Sequence, residues 1–372
     1  MPAYSDLLMV DHKGLSSAKS TSWAAFAQVT WTPDILDKKL DIVPGLRFTR
    51  DHRYVEGYNL GWVHPYAVNP GNHTALDFTQ GPGGSFSNAV GDKKWTKTTP
   101  AIAFNYHFQK DLMGYFKYTT AYTSGGFDPI AGPANGAAAF AKGFDPEEIK
   151  SYEVGMKGEF FQRRLRTNLA VFQSKFTNEQ KSTAQASGGW QTVNVGGSTY
   201  NGLELDVTAA ITRDLRLGVS WAHLKHKYDQ WIDPTSGRDV TATRDLIVPK
   251  NDYAVNLDYR FPEFGLPGKL DLTLNYTRRD KTSTPIDTSV TWSSGDARTP
   301  LTTPAFGVWN ARLALSQIKA GPGDEGRLTV GLWGKNLSDK KYLVMANPGW
   351  ISDMSGNWGE PRSVGLDIIY RY

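Results

Sequence analysis

The sequence predicts an all-β chain whose strands run antiparallel in the order in which they are made, and two observations predict it. Apolar and polar residues alternate with period two over one segment after another, and the connections between those segments alternate short and long. A strand turns successive side chains to opposite faces, so this alternation gives each strand one apolar and one polar face. In a water-soluble sandwich the apolar face is the core; in a membrane barrel it meets lipid around a wet lumen. Alternation alone fits both.

The last eleven residues, RSVGLDIIYRY (362–372), show the pattern simply. Val364, Leu366, Ile368, Tyr370 and Tyr372 share one face, Ser363, Gly365, Asp367 and Arg371 share the other, and only Ile369 breaks the order. Within 269–277, Leu270, Leu272, Leu274 and Tyr276 oppose Lys269, Asp271, Thr273, Asn275 and Thr277. Tyr253, Val255, Leu257 and Tyr259 oppose Asn256, Asp258 and Arg260, as Leu203, Leu205 and Val207 oppose Glu204 and Asp206. In 165–178 the apolar face is contested, with Leu169 and Val171 set against Phe172 and Phe176. Strands are expected at 22–31, 40–52, 95–108, 112–122, 151–161, 165–178, 199–211, 215–229, 251–261, 269–281, 306–318, 326–338 and 361–372, thirteen in all, or about fourteen if 6–10 ends another. Most are long enough to cross a bilayer when tilted, which takes roughly 9 to 11 residues.

Short connections fall at 109–111, 162–164, 212–214, 262–268 and 319–325, and long ones at 53–94, 123–150, 179–198, 230–250, 281–305 and 339–361. With antiparallel strands, all short turns lie at one end and all long loops at the other, which is the layout of a transmembrane up-and-down β-barrel. Loops of about twenty to forty residues count against a compact soluble domain unless they are functional.

Composition narrows the function classes. Lys and Arg number 41 against 37 Asp and Glu, a formal charge of +4 that is too balanced and too scattered for a nucleic-acid partner. A mean hydropathy of −0.44 looks soluble, but a barrel shows lipid only half of each strand and its loops are polar. No apolar run approaches the eighteen residues of a spanning helix. Twelve Trp, 17 Tyr, 17 Phe and 37 Gly suit strands, tight turns and interfacial girdles, and the absence of Cys permits an oxidising compartment. The opening MPAYSDLLMVDHKG lacks the regions of a secretory signal, and no linker divides the chain, so one β-domain over 1–372 without signal peptide is the expectation.

No motif of covalent chemistry survives inspection, and neither enzyme activity, cofactor nor metal is expected. The 321–326 stretch, GPGDEG, fits a dinucleotide-loop spacing but precedes a strand, and its Asp324 and Glu325 would repel a pyrophosphate, so a hairpin turn is expected. His223 and His226, three apart on a strand, face opposite ways and cannot share a metal. Glu147 and Glu148 diverge for the same reason.

Several ordered stretches resemble TonB-dependent outer-membrane receptors. At the C-terminal end GKNLSDKKY (334–342) is followed by a Gly- and Trp-rich loop, then Gly359-Glu360-Pro361-Arg362 and a last strand closing on an aromatic. Further matches are YTSGGF (122–127), FDPEEIKSYEVGMKG (144–158), RLRTNLAVFQSKFTNEQ (164–180) and YNGLELD (200–206), so the resemblance covers about 95–372. It implies the C-terminal portion of a siderophore-receptor-like barrel in the outer membrane of a Gram-negative bacterium. It also implies ligand capture by extracellular loops, a terminal strand carrying Gly365, Tyr370 and Tyr372 that the barrel-assembly machinery reads, and energy delivered by the TonB complex to a plug domain.

Neither plug nor TonB box is found in this sequence, and the family barrel has more strands, about twenty-two. The chain alone is therefore expected to be incompetent for energised transport. Candidate ligand contacts in the long loops, for a ferric siderophore or similar small ligand, are Trp62, His64, Tyr66, His73, Trp190, Trp231, Trp292 and Trp350 for stacking, with Arg238, Arg244 and Arg298 for negative charge. Glu153, Lys157, Glu204, Asp206, Asp258, Arg260, Asp271, Arg312, Lys335 and Asp367 are expected to line the lumen, since each would cost a few kcal/mol in lipid. Two other readings stay open: a plugless passive pore of fourteen strands, closed by residues 1–12, and a secreted soluble β-protein that binds carbohydrate through its loop tryptophans.

Overall fold

The computed structural model describes residues 9–64, 86–127, 137–184, 190–233, 237–243, 248–284, 301–347 and 355–372. A single 13-stranded sheet holds β1 (Met9–Gln28), β2 (Leu40–His64), β3 (Phe86–Gln109), β4 (Leu112–Thr123), β5 (Glu147–Phe160), β6 (Leu165–Thr177) and β7 (Gly196–Ala210). It continues with β8 (Leu215–Trp231), β9 (Asn251–Arg260), β10 (Lys269–Arg279), β11 (Phe306–Ala320), β12 (Gly326–Lys335) and β13 (Ser363–Arg371). Each strand pairs antiparallel with the next, and short turns and long connections segregate to opposite ends as the spacing predicts. Among the described residues β1 pairs only with β2 and β13 only with β12, so the sheet is an open portion of a barrel wall, not a closed ring.

Three expectations are corrected. Met9 and Val10 of the doubtful segment at 6–10, and 22–28 of the strand expected at 22–31, fall on β1, which runs unbroken from Met9 to Gln28, so the described residues hold no separate fourteenth strand in this sheet, and 6–8 lie outside them. Residues 53–64 and 86–94, expected as loop, are strand, because β2 and β3 pair up to Leu60↔Phe86. Their alternation is diluted by Gly57, Gly61 and Gly91, which is why the sequence hides it. The loops at 179–198, 281–305 and 339–361 each carry a two-stranded hairpin of their own, such as Gln180–Ala184 with Trp190–Asn194. The GPGDEG stretch is a tight turn between β11 and β12, with Gly321 and Gly323 at φ of 85° and 67°, where a side chain would be strained. The one α-helix among the described residues, Ala137–Lys142, is too short to cross a membrane and lies in the β4–β5 connection.

Register assigns the faces. The rung Leu215↔Tyr259↔Leu272↔Leu313↔Leu332↔Leu366 crosses six strands with an apolar residue at every step. Two rungs along, Val219↔Val255↔Tyr276↔Trp309 does the same over four. This face stays exposed: Leu332 is 61%, Leu366 63%, Val364 70% and Ile368 65% accessible. So wide an apolar band has no cover among the described residues, and lipid is the solvent that suits it. Tyr253, Tyr276 and Trp309 border it toward the long loops, and Tyr106, Phe108, Tyr259 and Phe261 border it toward the turns, as two interfacial girdles.

The contested strand β6 is settled by packing. Leu169 and Val171 join the outward face through Leu205 and Leu203, whereas Phe172 and Phe176 point inward. Phe172 lies over Gly202, where a Cβ would overlap its ring, and Phe176 packs at 4.9 Å on Tyr200. Ile369, the odd residue of β13, falls on the inward face opposite Thr329.

Two substitutions on adjacent residues of β9 test this assignment. Leu257→Arg, on the outward face, is expected to destabilise the refolded protein in lipid vesicles by about 2–4 kcal/mol, and Asn256→Arg, on the inward face, by far less. Urea unfolding of the two variants from the same vesicles measures the difference.

Candidate functional site

The inward face is a ladder of polar rungs, and all ten residues expected to line the lumen lie on it. Following the register from Glu153 and Lys157 on β5 through β6 leads to Glu204 and Asp206 on β7, Asp258 and Arg260 on β9, Asp271 on β10, Arg312 on β11, Lys335 on β12 and Asp367 on β13. Most partner the residue directly opposite or one strand further on. Arg260 Nε donates to Asp271 Oδ1 at 2.8 Å, Thr273 Oγ1 to Asp258 Oδ1 at 2.9 Å and Ser220 Oγ to Asp206 Oδ1 at 2.7 Å. Arg312 spans β12 to grip Asp367 with Nε and Nη2 at 3.1 and 2.6 Å, over Gly331, where a Cβ would collide with both groups. Tyr115 Oη donates to Glu153 Oε1 at 2.7 Å, and the Lys157 ammonium sits 5.5 Å above the same ring. Lys335 pairs with Glu360 at 3.8 Å, while Glu204 makes no hydrogen bond or ion pair among the described residues.

A cavity of ≈ 650 Å³ opens toward the long-loop end of β7–β11. Glu204, Asp206 and Asp252 supply carboxylates, with Asp252 held by Arg279 Nε at 3.1 Å, and the stacked rings of Phe306 and Tyr342, 4.3 Å apart, supply a flat apolar edge. The site can accept hydrogen bonds from a polar ligand and stack on a planar group. Asp252, Arg279, Phe306 and Tyr342 were not singled out from the sequence. Extending the alternation of β9 and β10 to their ends would have placed Asp252 and Arg279 on the polar face and opposite one another.

The loop candidates divide. Trp62 and His64 are on β2 and Trp190 is on a loop hairpin, so these three belong to strands. Arg238 is exposed in the β8–β9 connection. Tyr66, His73, Arg244, Trp292, Arg298 and Trp350 lie outside the described residues. Trp231 is 8% exposed and packs edge-on against Tyr228 at 4.5 Å, with Val195 buried beside them. That small core joins the β6–β7 and β8–β9 connections and leaves little of the Trp231 ring for a ligand. Beside it Glu179 is buried, accepting from Ser198 Oγ at 2.5 Å and Tyr200 Oη at 3.3 Å and paired with Lys181 at 2.6 Å. Thr241 latches the second loop: its Oγ1 accepts from the Trp231 amide at 2.7 Å and donates to Asp239 at 2.5 Å. The Thr241 hydroxyl, followed by its amide, holds the Asp239 carboxyl below its ordinary value of 3.8.

An antiparallel wall with a lipid-facing apolar band, a polar inner face and long hairpin-bearing loops at one end defines a β-barrel protein of the bacterial outer membrane. The family described as TonB dependent receptor-like, beta-barrel, matches residues 11–337, and the chain belongs to it. Its members are transporters of the Gram-negative outer membrane, not enzymes. The chain is 24% identical over 288 residues to the ferric-pyoverdine M114 receptor PbuA of Pseudomonas sp. (strain M114), covering 74% of this chain and 30% of that one. It is 24% identical over 293 residues to the metal-pseudopaline receptor CntO of Pseudomonas aeruginosa, covering 78% and 36%. Among solved structures, the ferric yersiniabactin uptake receptor FyuA of Yersinia pestis superposes with a TM-score of 0.70 at 16% identity, covering 98% of this chain and 47% of FyuA. The ferric-catecholate import receptor Fiu of E. coli K12 gives 0.64 at 16%, covering 95% and 45%. The chain thus spans about a third of the curated relatives' length and just under half of the solved structures'. Membership in this family replaces the reading as a secreted soluble protein.

Two measurements probe the site. Arg312 and Asp367 are 39% and 29% exposed, so a double-mutant cycle is expected to give a coupling of only about 0.5–1 kcal/mol, shrinking at high salt. The Asp239 latch is fully made above the ordinary carboxyl value and is lost as pH falls through the depressed one. A fluorine label on Trp231 should therefore report loop release only below about pH 4, whereas Thr241→Val should show the released signal at every pH.

Proposed function

We propose that this chain provides the C-terminal part of the wall and the extracellular loops of a receptor that imports a ferric siderophore or related metal chelate through the outer membrane. The observation that carries the reading is the inner ladder. Ten charged residues, spread over seven strands, share one face, and that face leads to a cavity whose free carboxylate and stacked aromatic pair lie at the long-loop end. The names of the relatives, receptors for ferric pyoverdine, metal-pseudopaline and ferric yersiniabactin, support the ligand class. In this reading transport is displacement of a plug that the inner wall holds, driven through TonB, with no covalent step. The charged rungs of the wall suit such a plug, because a polar partner can replace water at each rung without stranding an ion. The passive-pore alternative is disfavoured because it needs a ring closed between β1 and β13, and these two do not pair with each other among the described residues.

The test is titration of the refolded protein with a panel of ferric hydroxamate, catecholate and pyoverdine-type chelates, followed by intrinsic fluorescence. Saturable binding of one class, weakened about three- to tenfold by Phe306→Ala or Tyr342→Ala, is expected. Absence of saturable binding to every chelate, in protein whose β-signal and heat-modifiable migration show it folded, would reject the ligand class.

A further inference from the structure

The charges of the inner face are mostly matched one to one, but one group on the outward face is not. Lys150 on β5 and Lys175 on β6 stand directly opposite each other, and the same rung runs through Thr199 to Lys227 on β8. One rung nearer the turns, Gln173 and Asn201 lead to Lys225. All four lysines are exposed. One carboxylate accompanies them: Asp229, paired with Lys227 at 3.0 Å and accepting from Thr199 Oγ1 at 2.6 Å. Lys150 and Lys225 have no ion pair or hydrogen bond among the described residues, and Lys175 has none beyond the longer-range attraction of the Asp229 that Lys227 already holds.

Solvation accounts for a lysine standing alone, but like charges placed directly opposite in an antiparallel ladder repel, and a sequence avoids them unless an anion sits between. The position says which anion. Tyr152, 48% exposed and in ring contact with Tyr118 at 4.9 Å, lies immediately below Lys150 on the same face and shares a rung with Lys225, and Trp221 lies two rungs below Lys225, past His223. These aromatics belong to the girdle at the lipid boundary on the long-loop side. Two residues further along a strand is about 7 Å, which carries Lys150, Lys175 and Lys227 from the level of the girdle, where Lys225 already stands, to the headgroups of the outer leaflet.

We propose that Lys150, Lys175, Lys225 and Lys227 form a binding site for the sugar-linked phosphates of an outer-leaflet glycolipid. Each ammonium offers three donors on a flexible stem, so the group can wrap phosphates without a fixed fork geometry. Bound phosphate relieves the Lys150–Lys175 repulsion, and the apolar band beneath takes the acyl chains. The site is therefore selective for phosphate attached to a lipid over free phosphate.

The experiment measures binding of the refolded full chain to phosphatidylcholine vesicles carrying bisphosphorylated lipid A, the same lipid stripped of phosphate, or phosphatidylglycerol, and to inorganic phosphate in solution. Three proteins are compared: wild type, the triple variant K150Q/K175Q/K225Q, and the control K110Q/K269Q/K319Q, which removes equal charge at the turn end. Each is first shown to fold by its β-signal and heat-modifiable migration. The expected result is saturable binding to phosphorylated lipid A alone, weakened on the order of 100-fold in the first triple variant and unchanged in the control. Restoration by K150R/K175R/K225R, which keeps the charge, is also expected. Equal losses in both triple variants, equal binding to phosphatidylglycerol or to stripped lipid A, or saturation by inorganic phosphate would each overturn the proposal.

Discussion

Every part of this structure depends on the backbone ladder. In the hydrocarbon of a bilayer an unpaired amide or carbonyl costs several kcal/mol, with no water to take its place, so a chain that crosses in strands must pair them side by side. The pairing here runs unbroken across thirteen strands. Because side chains alternate along a strand, one register fixes both faces of the wall at once. A slip by one residue of β9 at Leu257↔Leu274 would send Asp258 and Arg260 into lipid and turn Leu257 into the lumen. The cost of that slip is what makes the polar ladder and the apolar band inseparable.

The same constraint gives the two edges their importance. The outer rows of β1 and β13 have no partner among the described residues, and a wall in lipid needs one for each. The matched receptors are two to three times longer than the span this chain covers in them, which accords with a wall that makes part of a larger ring. The inner face tells the same story in charges. Its ion pairs link strands that are adjacent or one apart, and they stiffen the wall while leaving groups such as Glu204 available to whatever fills the lumen.

Much of this was legible in the residues, for physical reasons. Lipid on one side and water on the other impose a strict period of two, and 269–277 and 362–372 record it plainly, so the fold, the strand order and the common face of the ten charged residues follow from alternation and loop length. Legibility failed where the two environments stop differing. Beyond the girdles lipid no longer faces β2 and β3, and their inner face meets loop residues, as Val55 does Phe127 and Phe140, so the strict alternation relaxes and the strands continue through glycines that read as loop. Packing between loops is likewise silent in the sequence. Trp231 looks like a ligand contact and is buried, while Phe306 and Tyr342, 36 residues apart, meet only because β11 and a loop hairpin bring them together. The four outward lysines were invisible for a different reason: each is an ordinary strand lysine until the register sets it beside the others.

Which face of the wall meets lipid is read directly by the accessibility of nitroxide labels placed one at a time along β9, from Asn251 to Arg260, in a reconstituted bilayer. Collisions with oxygen, which concentrates in lipid, should peak at positions 253, 255, 257 and 259. Collisions with a water-soluble nickel chelate should peak at 252, 254, 256, 258 and 260. A profile without that period of two, or one with the two reagents exchanged, would contradict the central claim that this chain is the wall of an outer-membrane barrel.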